Sequence, residues 1–208
     1  MVDPVDKQDE EAPMSDRRVH ESSARQQSAT LLSVLFGKQA TSGAQIVGEP
    51  YMLLDTARDP RIYARLMEFG DMVQARSLYQ GDIGESLAHV SPYLLTLRED
   101  QPEARWFAEA GFGQSWGVFV IASTEFDELR RHLRKFNIVY SEDREALVFR
   151  FYDPRVLRCF LPTCTSDELC RFFGPIESFM TESEKADAVI RFTLRGGELM
   201  QSRLPVEV

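Results

Sequence analysis

The sequence predicts an α/β domain in which helices flank a mixed β-sheet, with a C-terminal β-hairpin and a disordered N-terminal extension. From Tyr51 onward, short apolar segments of strand length alternate with helix-start signals such as Asp-Pro, an order typical of layered α/β folds. The continuous apolar run Val118–Ala122 is typical of a central strand that is covered on both faces. Hairpin patterns require antiparallel pairs in addition to crossovers, so the predicted sheet is mixed.

The chain begins with two segments that precede the predicted domain. Residues 1–27 are polar and charged with almost no large apolar side chains, so we expect an acidic, polar, disordered extension. Residues 28–50 are predicted to hold an amphipathic helix and a linker. This helix either packs on the sheet of its own chain or docks a partner, and burial of its apolar face is what would stabilise it. That apolar face consists of Leu31, Leu32, Leu35 and Phe36.

The predicted domain spans residues 51–176 and begins with a strand at Tyr51–Leu54. Asp59 and Pro60 match the N-cap and the first position of a helix, and Gly70 matches its end. The elements predicted next are short strands at Arg76–Tyr79 and Tyr93–Leu97, a helix from Pro102 to Gly111, and the central strand.

The helix after the central strand has the strongest helical signals in the chain. Thr124 is its predicted cap, acidic residues begin it and basic residues end it, which suits the helix dipole. A hairpin follows, with strands at Ile138–Tyr140 and Leu147–Tyr152 around a charged turn. Asp153 begins the next helix, and the capping box Thr165–Glu168 begins the last one. The predicted buried stripe of the first of these helices consists of Phe126, Leu129, Leu133 and Phe136.

Residues 177–208 are predicted to form a C-terminal hairpin extension. Apolar and polar residues alternate over Ala188–Leu194 and again over Glu198–Ser202, and Gly196 and Gly197 separate the two runs. Paired glycines between alternating runs are typical of a tight hairpin turn.

Composition excludes several classes of partner and site. The net charge of −9 opposes polyanions, so we expect neither nucleic acid nor an anionic lipid surface as a partner.

No run reaches the roughly 20 apolar residues of a membrane span, and the first 27 residues lack the apolar core of a signal peptide. We therefore expect a cytoplasmic protein without membrane insertion. The cysteines at 159, 164 and 170 lack the close pairs of a zinc site, so no metal is predicted.

An enzyme is one class that the residues leave open. A hydrolytic site could be assembled from Asp55, Ser115, His132 and Asp153. No G-x-S-x-G motif surrounds any serine, and His132 shares a helical face with large apolar residues. A hydrogen-bonded histidine at the edge of the core explains that position more simply than a general base does. We therefore predict no catalytic residues.

The glycine-rich segment Gly111–Gly117 does not have the features of a phosphate-binding loop. It lacks the lysine of a P-loop, and it precedes a strand instead of opening a helix. We expect its glycines to let Trp116 enter a tight bend before the central strand.

Arginines cluster in sequence around the two Asp-Pro helix starts. In one interpretation they pair with neighbouring carboxylates and hold the turns rigid. In the other they form, with Tyr152, a hot spot for binding another protein. The residues themselves leave these two alternatives open. The arginines are Arg58, Arg61, Arg150 and Arg155.

An ordered set of motifs resembles the bacterial type VI secretion effector chaperones, a family of adaptor proteins formerly classed only as a domain of unknown function. The resemblance spans about Tyr51 to Pro175, and its most specific block is Phe149–Val156. The other motifs, in order, are Tyr51-x-Leu53-Leu54-Asp55-x-Ala57-x-Asp59-Pro60, Trp106-Phe107, Gly113-Gln114-Ser115-Trp116-Gly117 and Leu129-Arg130-Arg131-His132-Leu133.

The resemblance implies a non-enzymatic adaptor without a cofactor. Such a protein binds a cognate effector in the cytosol and promotes its loading onto the VgrG spike protein, so these two proteins are the implied partners. The N-terminal extension and the C-terminal hairpin lie outside the motifs, which suggests them as sites of effector choice. The partner-binding residues that the motifs imply are Trp116, His132, Arg150, Tyr152, Asp153, Arg155, Asp55 and Arg58.

Two alternative functions remain beside the adaptor. A toxin-neutralising, immunity-like or regulatory protein would also bind a partner stoichiometrically. A hydrolase would use Asp55 or Asp153 with His132. Only the hydrolase predicts turnover of a small molecule.

Overall fold

The computed structural model describes residues 26–37 and 48–206, with only the backbone at Asp82 and Ile83. Within these residues the chain forms a seven-stranded sheet, in the order β2-β3-β1-β4-β7-β8-β9, and a separate hairpin of β5 and β6. The strands are β1 (Glu49–Asp55), β2 (Ala75–Ser77), β3 (Pro92–Thr96), β4 (Gly117–Ala122), β5 (Ile138–Tyr140), β6 (Ala146–Val148), β7 (Ile176–Glu182), β8 (Ala188–Arg195) and β9 (Glu198–Pro205).

The predicted α/β class, the flanking helices and the C-terminal hairpin are confirmed, and the pairing direction is a correction. All the strand pairs described are antiparallel, although a mixed sheet is predicted from the sequence. The reason lies in the position of β1. Strands β3 and β4 run in the same direction, but each pairs with β1 on a different side. The helical connection between them therefore joins parallel strands that are not neighbours.

Helices cover both faces of the sheet. One face, called here the α2 face, packs against α1, α2 and α4, and the opposite α5 face packs against α5, α6 and α7. Each face has its own cluster of buried apolar side chains. The helices are α1 (26–35), α2 (Pro60–Phe69), α3 (Gly81–Ser86), α4 (Pro102–Ala110), α5 (Phe126–Arg134), α6 (Pro154–Phe160) and α7 (Ser166–Phe173), with 3-10 turns at Gly70–Met72, Ala88–Val90 and Leu161–Thr163.

Strands β1 and β4 form the centre of the sheet and are buried on both faces. Leu53 and Val120 point to the α5 face, while Leu54 and Phe119 point to the α2 face, as the two-residue period of a strand requires. The predicted central strand at Val118–Ala122 is thus confirmed. A side chain at Gly117 would place its Cβ 1.9 Å from the carbonyl oxygen of Leu53, so only glycine allows the two strands to approach here.

Helix α1 packs on the sheet of its own chain, which settles one of the alternatives for the amphipathic segment. Leu31, Val34 and Leu35 are buried in the cluster on the α2 face, and Leu32 and Phe36 are partly buried against it. Residues 1–25 of the predicted disordered extension and residues 38–47 of the predicted linker lie outside the described residues, whereas residues 26 and 27 already belong to α1.

The cap of α5 differs from the prediction. Glu125 is the N-cap residue and makes no capping hydrogen bond with its side chain. The predicted cap, Thr124, instead donates its hydroxyl hydrogen to Glu128 Oε2 at 2.7 Å. The capping box at Thr165 and Glu168 is present as predicted.

The C-terminal strands extend the central sheet. The predicted hairpin is confirmed as β8 and β9, with Gly196 and Gly197 at φ values of 58° and 85° in the turn. Strand β7, which the sequence does not predict, joins this hairpin to β4. Phe179 and Met180 of β7 point to opposite faces of the sheet and are buried in the two different clusters.

Candidate functional site

The two Asp-Pro corners have the same local construction. Asp59 caps α2 by accepting a hydrogen bond from the backbone N–H of Arg61 at 2.8 Å, and Asp153 caps α6 by accepting one from Arg155 at 3.0 Å. In both corners the arginine also donates from its guanidinium group, with shortest distances of 2.6 Å. Proline fills the first helical position in each case, where a missing N–H costs nothing. A short Asp-Pro-Arg sequence therefore fixes the direction of each helix.

The first corner is joined to the second by an ion pair. Arg150, which precedes α6, donates to Asp55 Oδ2 at the end of β1. The Asp55 side chain is 1% exposed and the Arg150 side chain 41% exposed. The other Asp55 oxygen accepts a hydrogen bond from the N–H of Ala57 at 3.2 Å. The hydrogen bond to Asp55 raises the pKa of Arg150 above its ordinary value, so the guanidinium stays charged opposite a buried carboxylate.

Asp153 and Tyr152 lie in the same buried region. Burial opposes ionisation of Asp153, but hydrogen bonds from Arg155 and the charges of Arg155 and Arg58 lower its pKa below the ordinary value. Burial, and next the nearby Tyr79, raise the pKa of Tyr152 far above its ordinary value. Tyr152 is therefore a neutral, buried phenol and Asp153 a buried carboxylate at neutral pH. Arg155 and Arg58 remain exposed to solvent beside them.

Five of the eight predicted site residues thus form one charged cluster, called here the corner cluster. Its members are Asp55, Arg58, Arg150, Asp153 and Arg155. Tyr152 lies directly beneath it in the core of the α5 face. The structural alternative for the arginines is borne out for Arg61, Arg150 and Arg155, which pair with Asp59, Asp55 and Asp153. Whether the exposed arginines also bind a partner stays a prediction.

Trp116 is buried on the α2 face, away from Tyr152 on the other side of the sheet. Its ring lies 5.3 Å from that of Trp106, centroid to centroid. The guanidinium carbon of Arg61 lies 5.5 Å from the centroid of the Trp116 ring, within the range of a cation–π contact. The backbone connects Trp116 to the corner cluster, because the Trp116 carbonyl accepts a hydrogen bond from the N–H of Asp55 at 2.8 Å.

The glycine-rich loop binds the carboxylate of Glu182, a residue that the sequence does not single out. Glu182 Oε2 accepts a hydrogen bond from the N–H of Gly113 at 2.6 Å, and Oε1 accepts bonds from the N–H and hydroxyl of Ser115 at 2.9 and 3.1 Å. Burial raises the pKa of Glu182 even though these donors oppose the rise. Positive φ angles of 84° at Gly113 and 56° at Ser115 turn the N–H groups inward. The loop therefore holds a carboxyl group, but one from its own chain.

His132 lies at the edge of the core between α5 and α7. Its Nε2 donates to the carbonyl of Phe172 at 2.9 Å, and its ring contacts that of Phe136 at a centroid distance of 5.2 Å. Its ring also lies against Gly174, where an added Cβ would come within 2.3 Å of Cε1. Burial lowers the pKa of His132. Among the described residues no carboxylate is hydrogen-bonded to this histidine, so the geometry offers a structural role and no acid–base pair.

A groove of about 810 Å³ lies between the glycine-rich loop, α6 and the turn from β7 to β8. Arg155 and Lys185 line it together with Glu184, and the exposed thiol of Cys159 faces it. Several of its charged groups are already paired: Arg155 bridges to Asp153 at 2.6 Å, Arg158 donates to the Glu182 carbonyl at 2.5 Å, and Arg203 bridges to Asp187 at 2.6 Å. Among the described residues no group of three or more His, Cys, Asp or Glu side chains could hold a metal ion.

The β5–β6 hairpin carries the most exposed apolar surface of the described chain. Large apolar side chains on both strands are 40% exposed or more, up to 71% for Tyr140. The sequence predicts the hairpin but not this exposure, because alternation indicates which residues share a face and not whether that face is covered. Its exposed residues are Ile138, Val139, Tyr140, Leu147 and Val148.

These features define an α/β domain with an internally paired charged cluster and an uncovered apolar hairpin. Residues 50–171 match the domain of unknown function DUF4123, and the chain belongs to this family. All eight predicted site residues and the hairpin lie within the match, whereas Glu182 lies outside it. No curated protein and no solved structure matches the chain. None of the described helices has the length and apolar character needed to cross a membrane.

Proposed function

We propose that this protein is a type VI secretion adaptor that binds a cognate effector in the bacterial cytosol and promotes its loading onto the VgrG spike protein, without enzymatic activity. The resemblance of its ordered motifs to the effector chaperones supports this function. Membership of the DUF4123 family over residues 50–171 is consistent with it, since those motifs lie in the matched region.

The observation that carries the proposal is the uncovered apolar surface of the β5–β6 hairpin. A contiguous patch of exposed apolar side chains is typical of a surface that associates with another molecule. Covering this apolar surface with a partner removes it from water, which favours association. The corner cluster, by contrast, has its carboxylates occupied by arginines of the same chain. The exposed hairpin and the paired carboxylates both support binding of a partner over catalysis as the function.

The predicted partner-binding residues divide into two groups under this proposal. Arg58 and Arg155 are exposed and are available for direct contact with an effector or with VgrG. Asp55, Tyr152 and Trp116 are buried, so they would act by holding the surface in place. Arg150 belongs to both groups, because its side chain is half-exposed and bound to Asp55.

Co-purification tests the proposal. The full chain with an affinity tag would be expressed together with effector and VgrG proteins from the same genome. An adaptor retains both proteins, and its deletion abolishes delivery of the effector without poisoning the producing cell. Retention of neither protein refutes the proposal. If the producing cell dies whenever the chain is absent, the protein neutralises a toxin instead.

A further inference from the structure

Within the described part of the chain, no further strand pairs with either backbone edge of the β5–β6 hairpin. The Ser141 N–H donates to the backbone carbonyl of Glu145 at 3.0 Å, and the Phe149 N–H donates to the backbone carbonyl of Asn137 at 2.9 Å. Hydrogen-bonded and non-hydrogen-bonded pairs alternate in an antiparallel ladder, so the pair between these two, Val139 with Leu147, is hydrogen-bonded. The neighbouring residues must then direct their N–H and C=O groups away from the hairpin. These residues are Ile138, Tyr140, Ala146 and Val148.

The two edges differ in their surroundings. At the base of β5, Asn137 Nδ2 and Arg134 Nε both donate to the carbonyl of Leu78, at 3.3 and 3.0 Å, so this edge begins against the body of the protein. Strand β6 leads toward α6, where no strand or loop is paired with it among the described residues. The edge of β6 is therefore the more accessible one.

Apolar surface continues from the hairpin to α6. Leu147 lies directly opposite Val139 and two residues before Phe149, so these three side chains share one side of the hairpin. The ring of Phe149 lies 4.7 Å from that of Phe160 on α6, centroid to centroid. A shallow, mostly apolar groove of about 550 Å³ follows α6 past Phe160 and Val156. A strand added to β6 would find apolar contacts along this side.

The charges of the hairpin turn favour one kind of occupant. Glu142, Asp143 and Glu145 surround the single basic residue Arg144 in the exposed turn. With the net charge of −9, this acidic turn repels anionic lipid and nucleic acid. An extended polypeptide satisfies the open N–H and C=O groups and the apolar side chains at the same time, and a basic residue beside the turn adds electrostatic attraction.

We propose that the outer edge of β6 binds an extended apolar segment of a partner polypeptide as a third strand, with a basic residue of that segment beside the acidic turn. This inference rests on the proposed function only in taking the partner to be the effector. Beyond the proposed function, it specifies the surface of this protein that binds the partner, the extended conformation of the bound segment, and the apolar and basic residues of that segment.

Binding of a labelled synthetic peptide to the full chain tests the edge directly. The probe is a short peptide of alternating valine and threonine that ends in lysine, followed by fluorescence anisotropy. We expect saturable binding, and we expect N-methylation of alternate amides on one edge of the peptide to weaken it about tenfold or more while methylation on the other edge has little effect. Absence of binding, or equal loss from both methylation patterns, overturns the proposal.

A pair of proline variants identifies the edge on the protein. Val148→Pro removes an outward N–H from β6 and Ile138→Pro removes one from β5, and neither N–H is bonded within the ladder. We expect Val148→Pro to weaken peptide binding about tenfold and Ile138→Pro to leave it unchanged. Circular dichroism shows whether each variant is folded. Equal affinities of the two folded variants overturn the assignment to β6. If either variant fails to fold, Ala146→Pro on β6 and Tyr140→Pro on β5 remove the other pair of outward N–H groups and give the same comparison.

The same variants separate this inference from the proposed function. If the unsubstituted chain retains the effector and Val148→Pro retains it equally, the edge is wrong and the adaptor function stands. If the peptide binds at β6 but neither the effector nor VgrG is retained, the edge stands and the adaptor function fails. If light scattering shows self-association that Val148→Pro abolishes, the occupant is a second copy of the chain and the partner segment is refuted.

Discussion

The ion pair between Arg150 and Asp55 allows the most direct test of how the two Asp-Pro corners are joined. Arg150→Met removes the charge and keeps an apolar stem of similar length. An exposed pair contributes about 0–1 kcal/mol, whereas removing one partner of a buried pair costs about 3–5 kcal/mol. The Asp55 side chain is 1% exposed and the Arg150 side chain 41% exposed. The pair lies between these two cases, because its carboxylate is buried while its guanidinium contacts water. We therefore expect a loss of about 2 kcal/mol in the free energy of unfolding.

A double-mutant cycle measures this coupling. Urea unfolding, followed by far-UV circular dichroism, would be compared for the unsubstituted chain, Arg150→Met, Asp55→Asn and the double variant. Asp55→Asn keeps an oxygen for the N–H of Ala57 and removes the buried charge. The double variant should therefore cost less than the sum of the single changes, by about 1 kcal/mol. The melting temperature of Arg150→Met should fall by about 4–8 °C.

Two results would refute this reasoning. A change below about 0.5 kcal/mol in Arg150→Met would class the bridge with ordinary surface pairs. Additive single changes would show that Arg150 and Asp55 do not stabilise each other. Arg131→Met serves as the control, because Arg131 is an exposed arginine of α5 with no ion pair among those described; it should change stability by less than about 0.5 kcal/mol.

Three further predictions concern pH and packing. The pKa of Asp153 lies below its ordinary value of 3.8 in the folded protein, so its stabilising effect is present above that pH and disappears as pH falls through the lower folded-state pKa. Acid unfolding of Asp153→Asn should lose that part of the pH dependence, and an unchanged acid profile would contradict the prediction. The pKa of His132 lies below 6.5, so stability should fall as pH drops from about 7 to about 5, and His132→Gln should flatten this slope in urea titrations. Gly117→Ala should destabilise the fold by about 3 kcal/mol or more, because its Cβ would meet the Leu53 carbonyl oxygen at 1.9 Å. Gly81→Ala serves as the control, because its added Cβ would have no atom within 4 Å and only its φ of 64° is unfavourable. It should cost only about 1 kcal/mol, and equal losses in the two variants would contradict the contact of the Gly117 Cβ with the Leu53 carbonyl.

Local signals in the sequence predicted local structure well. The Asp-Pro corners at Asp59 and Asp153, the capping box at Thr165 and the buried strand at Val118–Ala122 are all present. Each depends on residues a few positions apart, whose preferences act directly on the backbone. The buried face of α1 was predicted for the same reason, since its apolar residues recur at helical spacing.

The features that the sequence did not predict depend on distant partners. The Glu182 carboxylate bonds to a loop 67 residues away along the chain, and no motif connects the two. Strand β7 resembles a loop in sequence because Ser178 and Thr181, both buried in the structure, interrupt its apolar pattern. The pairing of Asp55 with Arg150 spans 95 residues, so the two similar corners gave no sign that they meet. The hairpin itself is predicted, but its exposure is not, because exposure depends on which other parts of the chain pack against it.

The two-sided burial of β1 and β4 has a consequence for how this molecule comes apart. Consecutive residues of these strands belong to different clusters on the two faces of the sheet. If either layer of helices separated from the sheet, it would expose apolar side chains of β1 and β4, the same strands on which the other layer packs. The protein should lose its structure in a single all-or-none event, and the backbone amides of β1 and β4 should be the last to exchange their hydrogens with solvent.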